Sequence, residues 1–161
     1  MNIKSGFTKF ATITGMVLSM ATVPALAAES SDSHDHGHGA TELRLNNGSK
    51  WAIDAPLSLA MGNIRNAMDK EIDAIHSNQL AEEKYAALSK NINSEVAYMV
   101  ENCELEPEAD AQLHLIINDL VEGSTMMENK PSAQDGAVRV IGAIGDYATY
   151  FDDPNFKPMK H

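Results

Sequence analysis

AEEKYAALSKNINSEVAYMVENCELEPEADAQLHLIINDLVEGSTMM, residues 81–127, is the stretch that decides the fold. In its first half Tyr85, Leu88, Ile92, Val96, Met99 and Cys103 recur at steps of three and four, the spacing of one face of a helix. Ala109, Leu113, Ile116, Leu120 and Met127 repeat the pattern in the second half, widened by Ile117 and Val121. Between the stripes stands Pro107, a residue suited to a first helical turn, among Glu106, Glu108 and Asp110, acids suited to the positive end of a helix dipole. The spacing predicts helices over about Ala81–Asn102 and from Pro107 onward, with Gly123 and Ser124 weakening the last turn of the second. A connection this short makes the two helices antiparallel neighbours.

The flanking sequence supplies two more stripes. Leu57, Met61, Ile64, Met68, Ile72 and Ile75 predict a helix from about Pro56 to Asn78, capped by Asp54. After the break Asn129-Lys130-Pro131-Ser132, Ala137, Ile141, Ile144, Ala148 and Phe151 align, flanked by Val138, Val140 and Tyr147. Asp153-Pro154 ends that run, because the residue before proline avoids the helical region. Four such helices on short loops predict an all-α protein, a single up-down-up-down four-helix bundle over residues 41–156 with a tail at 157–161. Ahead of the first helix, Leu43-Arg44-Leu45 alternates and Asn46-Asn47-Gly48 signals a turn. Trp51 follows, and is expected to lie across one end of the bundle.

The N-terminal residues read differently. Lys4 and Lys9, an apolar run from Phe10 to Met20 and Ala25-Leu26-Ala27 form the pattern of a signal peptide over residues 1–27. The run is too short to span a bilayer, where about 20 apolar residues are needed. Residues 28–40, AESSDSHDHGHGA, lack apolar periodicity and read as a disordered His-rich leader. The expectation is export to the periplasm without membrane insertion after cleavage. Losing residues 1–27 removes two lysines and no acid, taking the net charge from −11 to −13. That sign, with no Lys/Arg cluster, disfavours nucleic acid.

Two groups of residues could hold a metal. His34, His36 and His38, with Asp35 among them, place three imidazoles in five residues, and imidazole suits copper, zinc and nickel. The alternative is a solubilising linker. Within the bundle, Met61, Met99, Cys103 and His114 fall at similar heights at about 1.5 Å rise per residue. Thioether and thiolate favour Cu(I); ordinary core packing, with a partly exposed histidine, is the alternative. Cys103 is the single cysteine, so it is an apolar filler, a ligand or half of an intermolecular disulfide. Neighbouring Glu101, Glu104 and Glu106 should raise its pKa. His76 lies at the other end of its helix, roughly 20 Å or more from that group.

Haem is not expected: there is no Cys-x-x-Cys-His, and the last helix has no histidine to pair with Met61. Glu-x-x-His pairs of the di-iron type are missing too, and no enzyme is expected. The leading expectation is a periplasmic metal-binding or metal-buffering protein, copper favoured and zinc second. The rival is a structural or adaptor bundle acting through a protein partner or a homodimer.

The chain also resembles a group of small exported proteobacterial proteins described as DnrO-like. The resemblance rests on Gly48-Ser49-Lys50-Trp51, Asp54, Leu57, Met61, Ile64-Arg65, Ile75-His76 and Val96-Ala97-Tyr98. It continues through Asn102-Cys103-Glu104-Leu105-Glu106-Pro107, Ala109-Asp110-Ala111, Leu113-His114 and Tyr150-Phe151 before Asp153-Pro154. The group differs in having a basic residue at the place of Glu104 and a histidine at that of Asp153. It implies a periplasmic helical fold and no particular activity.

Overall fold

A computed structural model describes residues 42–159; the segments read as a signal peptide and a His-rich leader, with His34, His36 and His38, lie outside them. The described residues are all-α: α1 (Ala55–Asp69), α2 (Ile72–His76), α3 (Glu82–Asn102), α4 (Pro107–Met127) and α5 (Ala133–Tyr150), with a 3-10 turn at Lys130–Ser132 before α5. None of these helices is long and apolar enough to cross a membrane.

Contacts between helices give their directions. Asn63 meets Glu95 and Glu71 meets Lys84, so α1 and its continuation run against α3. Asn93 accepts from Ser124 and Ser89 donates to Glu128, which sets α3 against α4. Arg139 pairs with Asp119 across α4 and α5. Gln134 donates to the Ile75 carbonyl at one end, and Trp51 donates to the Tyr150 carbonyl at the other, closing α5 onto the first helical segment. The four long helices thus alternate up and down around one core that includes Met61, Ile64, Ile92, Met99, Leu113, Ile116, Leu120, Val140 and Tyr147.

The structure corrects several expectations. The first helix is not continuous to Asn78: it stops at Asp69, and Ile72–His76 forms a separate turn. Glu71 leaves helical geometry at φ −111, ψ 4, and both Lys70 and Glu71 donate to the Met68 carbonyl. The change of direction still buries Ile72 and Ile75, so the stripe survives while the helix does not. Gly123 does not loosen the end of α4, which runs through to Met127. It is the point of closest approach to α5. A Cβ on Gly123 would lie 2.7 Å from the Gly136 carbonyl oxygen, and one on Gly136 would lie 2.5 Å from that of Gly123. Only glycines allow the two backbones to touch there.

That contact also sets the rotation of α5. Gly136, Val140, Ala143 and Tyr147 face inward at steps of four and three, while Ile141 and Ala148 are half-buried and Val138 is exposed. Beyond α5, the chain keeps packing: Phe156 meets Tyr147 edge-on and Met159 is buried, so the segment read as a tail contributes to the core.

Candidate functional site

The Cys103 end of the bundle holds the polar groups and irregular backbone from which a site can be made. Residues 43–54 cross this end as a strap. Asn47 and Gly48 both have positive φ, 50 and 88, as a two-residue type I′ turn requires, and Asn46 and Ser49 exchange backbone hydrogen bonds around them. The strap is pinned at several points. The Arg44 amide donates to Gln112 Oε1 of α4 at 2.7 Å, and the Trp51 indole donates to the Arg44 carbonyl at 2.6 Å. Trp51 also pairs by its backbone with the end of α5, donating to Tyr150 and accepting from Asp152. The ring is buried across the bundle end, as its place in the sequence predicted.

Asp54 joins the strap to the α3–α4 connection. One carboxylate oxygen caps α1 by accepting from the Leu57 amide at 2.9 Å. The other accepts from the Glu104 amide at 2.7 Å. The Cys103 thiol lies beside it, and burial, then the negative charge of Asp54, then Asp110, push that thiol up to about 12. The direction is the one the sequence predicted. The cause is different: the neighbours in space outweigh Glu101, Glu104 and Glu106 along the chain. A thiol so placed stays protonated near neutral pH, and metals bind the thiolate. Nearby, the Tyr147 hydroxyl donates to Asp153 at 2.9 Å, and burial, with Asp153, raises its pKa.

Between the strap and the α3–α4 connection lies a cleft of about 750 Å³. Arg44, Leu45, Trp51 and Ile53 line one side, and Glu104, Leu105, Glu106, Glu108 and Ala109 the other. It was not foreseen in the sequence. The one available sign is the run of glutamates at alternate positions, Glu104, Glu106 and Glu108, whose sequence reading was confined to raising the Cys103 pKa (Glu104, Glu106) and favouring a helix start (Glu106, Glu108).

The four residues expected to gather inside the bundle do not form one donor set. Met61 and Met99 are fully buried among apolar side chains. Cys103 sits at the end of α3, half-buried, with its thiol against Asp54. His114 points to solvent, its side chain 64% exposed, with Nδ1 2.9 Å from the Asp110 carbonyl oxygen. One residue decides this: Leu113 occupies the buried position, and the next residue on a helix is turned about 100° away. Among the described residues, no three His, Cys, Asp or Glu side chains are grouped to hold a metal ion. His76 is exposed as well.

No protein-family model matches the chain. Neither a curated protein nor a solved structure matches it.

Proposed function

We propose that the protein is an exported, periplasmic metal-binding or metal-buffering protein, copper ahead of zinc, whose ligands are carried on the His-rich leader rather than in the bundle. The observation that carries this reading is the run His34-Asp35-His36-Gly37-His38, three imidazoles and a carboxylate within five residues. Alternate imidazoles on a short chain can close on one ion, and divalent copper outcompetes zinc at nitrogen and oxygen donors. The bundle then acts as the folded carrier of that leader. The sulfur-containing candidates in it take no part: Met61 and Met99 are packed in the core, and the Cys103 thiol is held protonated. No catalytic role belongs to this reading.

The test is metal stoichiometry, by calorimetry and elemental analysis, on three forms of the protein: unaltered, His34→Ala/His36→Ala/His38→Ala, and Cys103→Ala. Copper and zinc should bind the unaltered and Cys103→Ala forms alike, and the triple variant should lose binding at roughly micromolar free ion. Binding that survives the triple substitution, or that depends on Cys103, would overturn the assignment to the leader.

A further inference from the structure

The cleft at the Cys103 end has a chemistry of its own, independent of the leader. Four carboxylates line it, those of Asp54, Glu104, Glu106 and Glu108, against the single guanidinium of Arg44. Asp54 is occupied on both oxygens by backbone amides, which leaves the three glutamates facing outward as the charged rim. Apolar surface accompanies them: Leu45 is 40% exposed, and Ile53 and Leu105 are half-buried. The volume, about 750 Å³, is within the range of specific ligand sites.

The backbone narrows the choice of ligand. The strap side is non-helical chain, and the other side is the non-helical Glu104–Glu106 followed by the first turn of α4; among the described residues Ala52, Ile53 and Leu105 make no backbone-to-backbone hydrogen bond. At the start of α4 no side chain caps the helix, so the Glu108 and Ala109 amides remain donors at the cleft. A small cation would satisfy the carboxylates and leave these groups to water. Nucleic acid and anionic lipid would be repelled by the rim. An extended peptide supplies carbonyls for the amides, amides for the free carbonyls, and side chains that alternate between two faces.

We propose that this cleft docks an extended segment of a partner protein in which basic and apolar residues alternate. The basic side chains meet Glu104, Glu106 and Glu108. The apolar ones lie on Leu45, Ile53 and Leu105, and the partner's main chain meets the backbone groups of Ala52, Ile53 and Leu105 that the fold leaves unpaired.

The probe is a fluorescein-labelled peptide KLKLK, acetylated and amidated, with DLDLD as its counterpart. Binding is followed by polarisation and by the emission of Trp51, the single tryptophan, which lines the cleft. KLKLK should bind and shift the Trp51 emission, and DLDLD should do neither. Glu104→Gln/Glu106→Gln/Glu108→Gln should weaken KLKLK at least tenfold. Glu82→Gln/Glu83→Gln, at the opposite end of the bundle, should leave it unchanged. All five positions are exposed, and circular dichroism confirms that the variants fold. Failure of KLKLK to bind at millimolar concentration overturns the proposal. So does equal weakening by the two sets of substitutions, which marks diffuse attraction to an acidic surface. Displacement of KLKLK by spermidine at equal charge also overturns it, since the apolar and main-chain contacts would then contribute nothing.

Discussion

The α4–α5 seam and the Cys103 end are built from opposite materials. At the seam, two glycines bring helix backbones into contact, with Val140, Met126 and Met127 around them. At the Cys103 end the backbone is non-helical and held by hydrogen bonds between groups far apart in sequence, with Asp54 accepting from Glu104, Gln112 from Arg44 and Tyr150 from Trp51. The seam is stable because nothing can be added to it. The other end is assembled from groups distant in sequence, and the space they leave between them is a cleft. A bundle needs only its stripes to form a body, whereas the strap and the α3–α4 connection are free to make a surface.

The contrast breaks most visibly at Trp51. Trp51→Ala removes the ring that covers the bundle end and the indole bond to Arg44, and large-to-small changes of buried aromatics cost about 3–5 kcal/mol. Urea unfolding should show a loss of that size. A loss below about 1 kcal/mol would mean that the strap contributes little to the folded state and that the bundle end closes without it.

The seam should respond less strongly, and a glycine of α5 outside it should respond with the opposite sign. Gly136→Ala places a Cβ 2.5 Å from the Gly123 carbonyl oxygen and 2.8 Å from the Met127 amide nitrogen, backbone atoms that cannot step aside. Overpacking of this kind costs about 1–3 kcal/mol, and the better helix propensity of alanine returns up to about 1. With the full return subtracted, the expected net loss is up to about 2 kcal/mol. Gly142→Ala, exposed on the same helix with nothing near the new Cβ, should instead gain roughly 0.5–1 kcal/mol. If both substitutions stabilise, α4 and α5 can move apart without penalty and the seam is not the constraint described above.

The two regions also differ in how much of them could be read from residues alone. Steps of three and four located every long helix, because that period reports burial directly. Pro107 marked the start of α4, and Asp54 was identified as a cap. The seam escaped because an isolated glycine in a helical run was read for its propensity. The sign that it packs was present: Gly123 and Gly136 stand equally far from the Asn129–Lys130 connection, so an antiparallel pair must bring them level. The break after Asp69 has no such sign, since neither proline nor glycine stands there and the stripe passes through it unaltered. His114 was grouped with Met61, Met99 and Cys103 on its height along the helix, with a partly exposed histidine as the alternative; rotation, not height, decides which side chain enters a core, and it favours the alternative. At the Cys103 end, the second carboxylate oxygen of Asp54 reaches Glu104 across a separation of 50 residues. No local pattern records such a contact, so the cleft it helps to form was hidden.

The smallest effect concerns pH, and it tests whether that hidden contact is a real constraint. Burial and Asp54 raise the Cys103 thiol from its ordinary value to about 12. For a group whose folded pKa is raised, the folded state holds the proton more tightly than the unfolded chain. The stability it contributes is therefore complete below the ordinary thiol range and is lost as pH rises from there toward the folded value. Tyr85, Tyr147 and Lys130 are raised too and act with the same sign, so the unaltered protein alone cannot isolate the thiol. The comparison with Cys103→Ala does, because those three groups are common to both. Between about pH 8 and pH 10, the unaltered protein should lose more stability in urea than Cys103→Ala does. The difference should stay below the cost of Gly136→Ala, since the thiol is only half-buried and solvent screens its charge. Asp54→Asn keeps a capping side chain while removing the charge, and should shrink the difference further. Parallel pH profiles for the unaltered and Cys103→Ala proteins would place the thiol in open water, away from Asp54, and would remove the link between the strap and the α3–α4 connection on which the shape of the cleft depends.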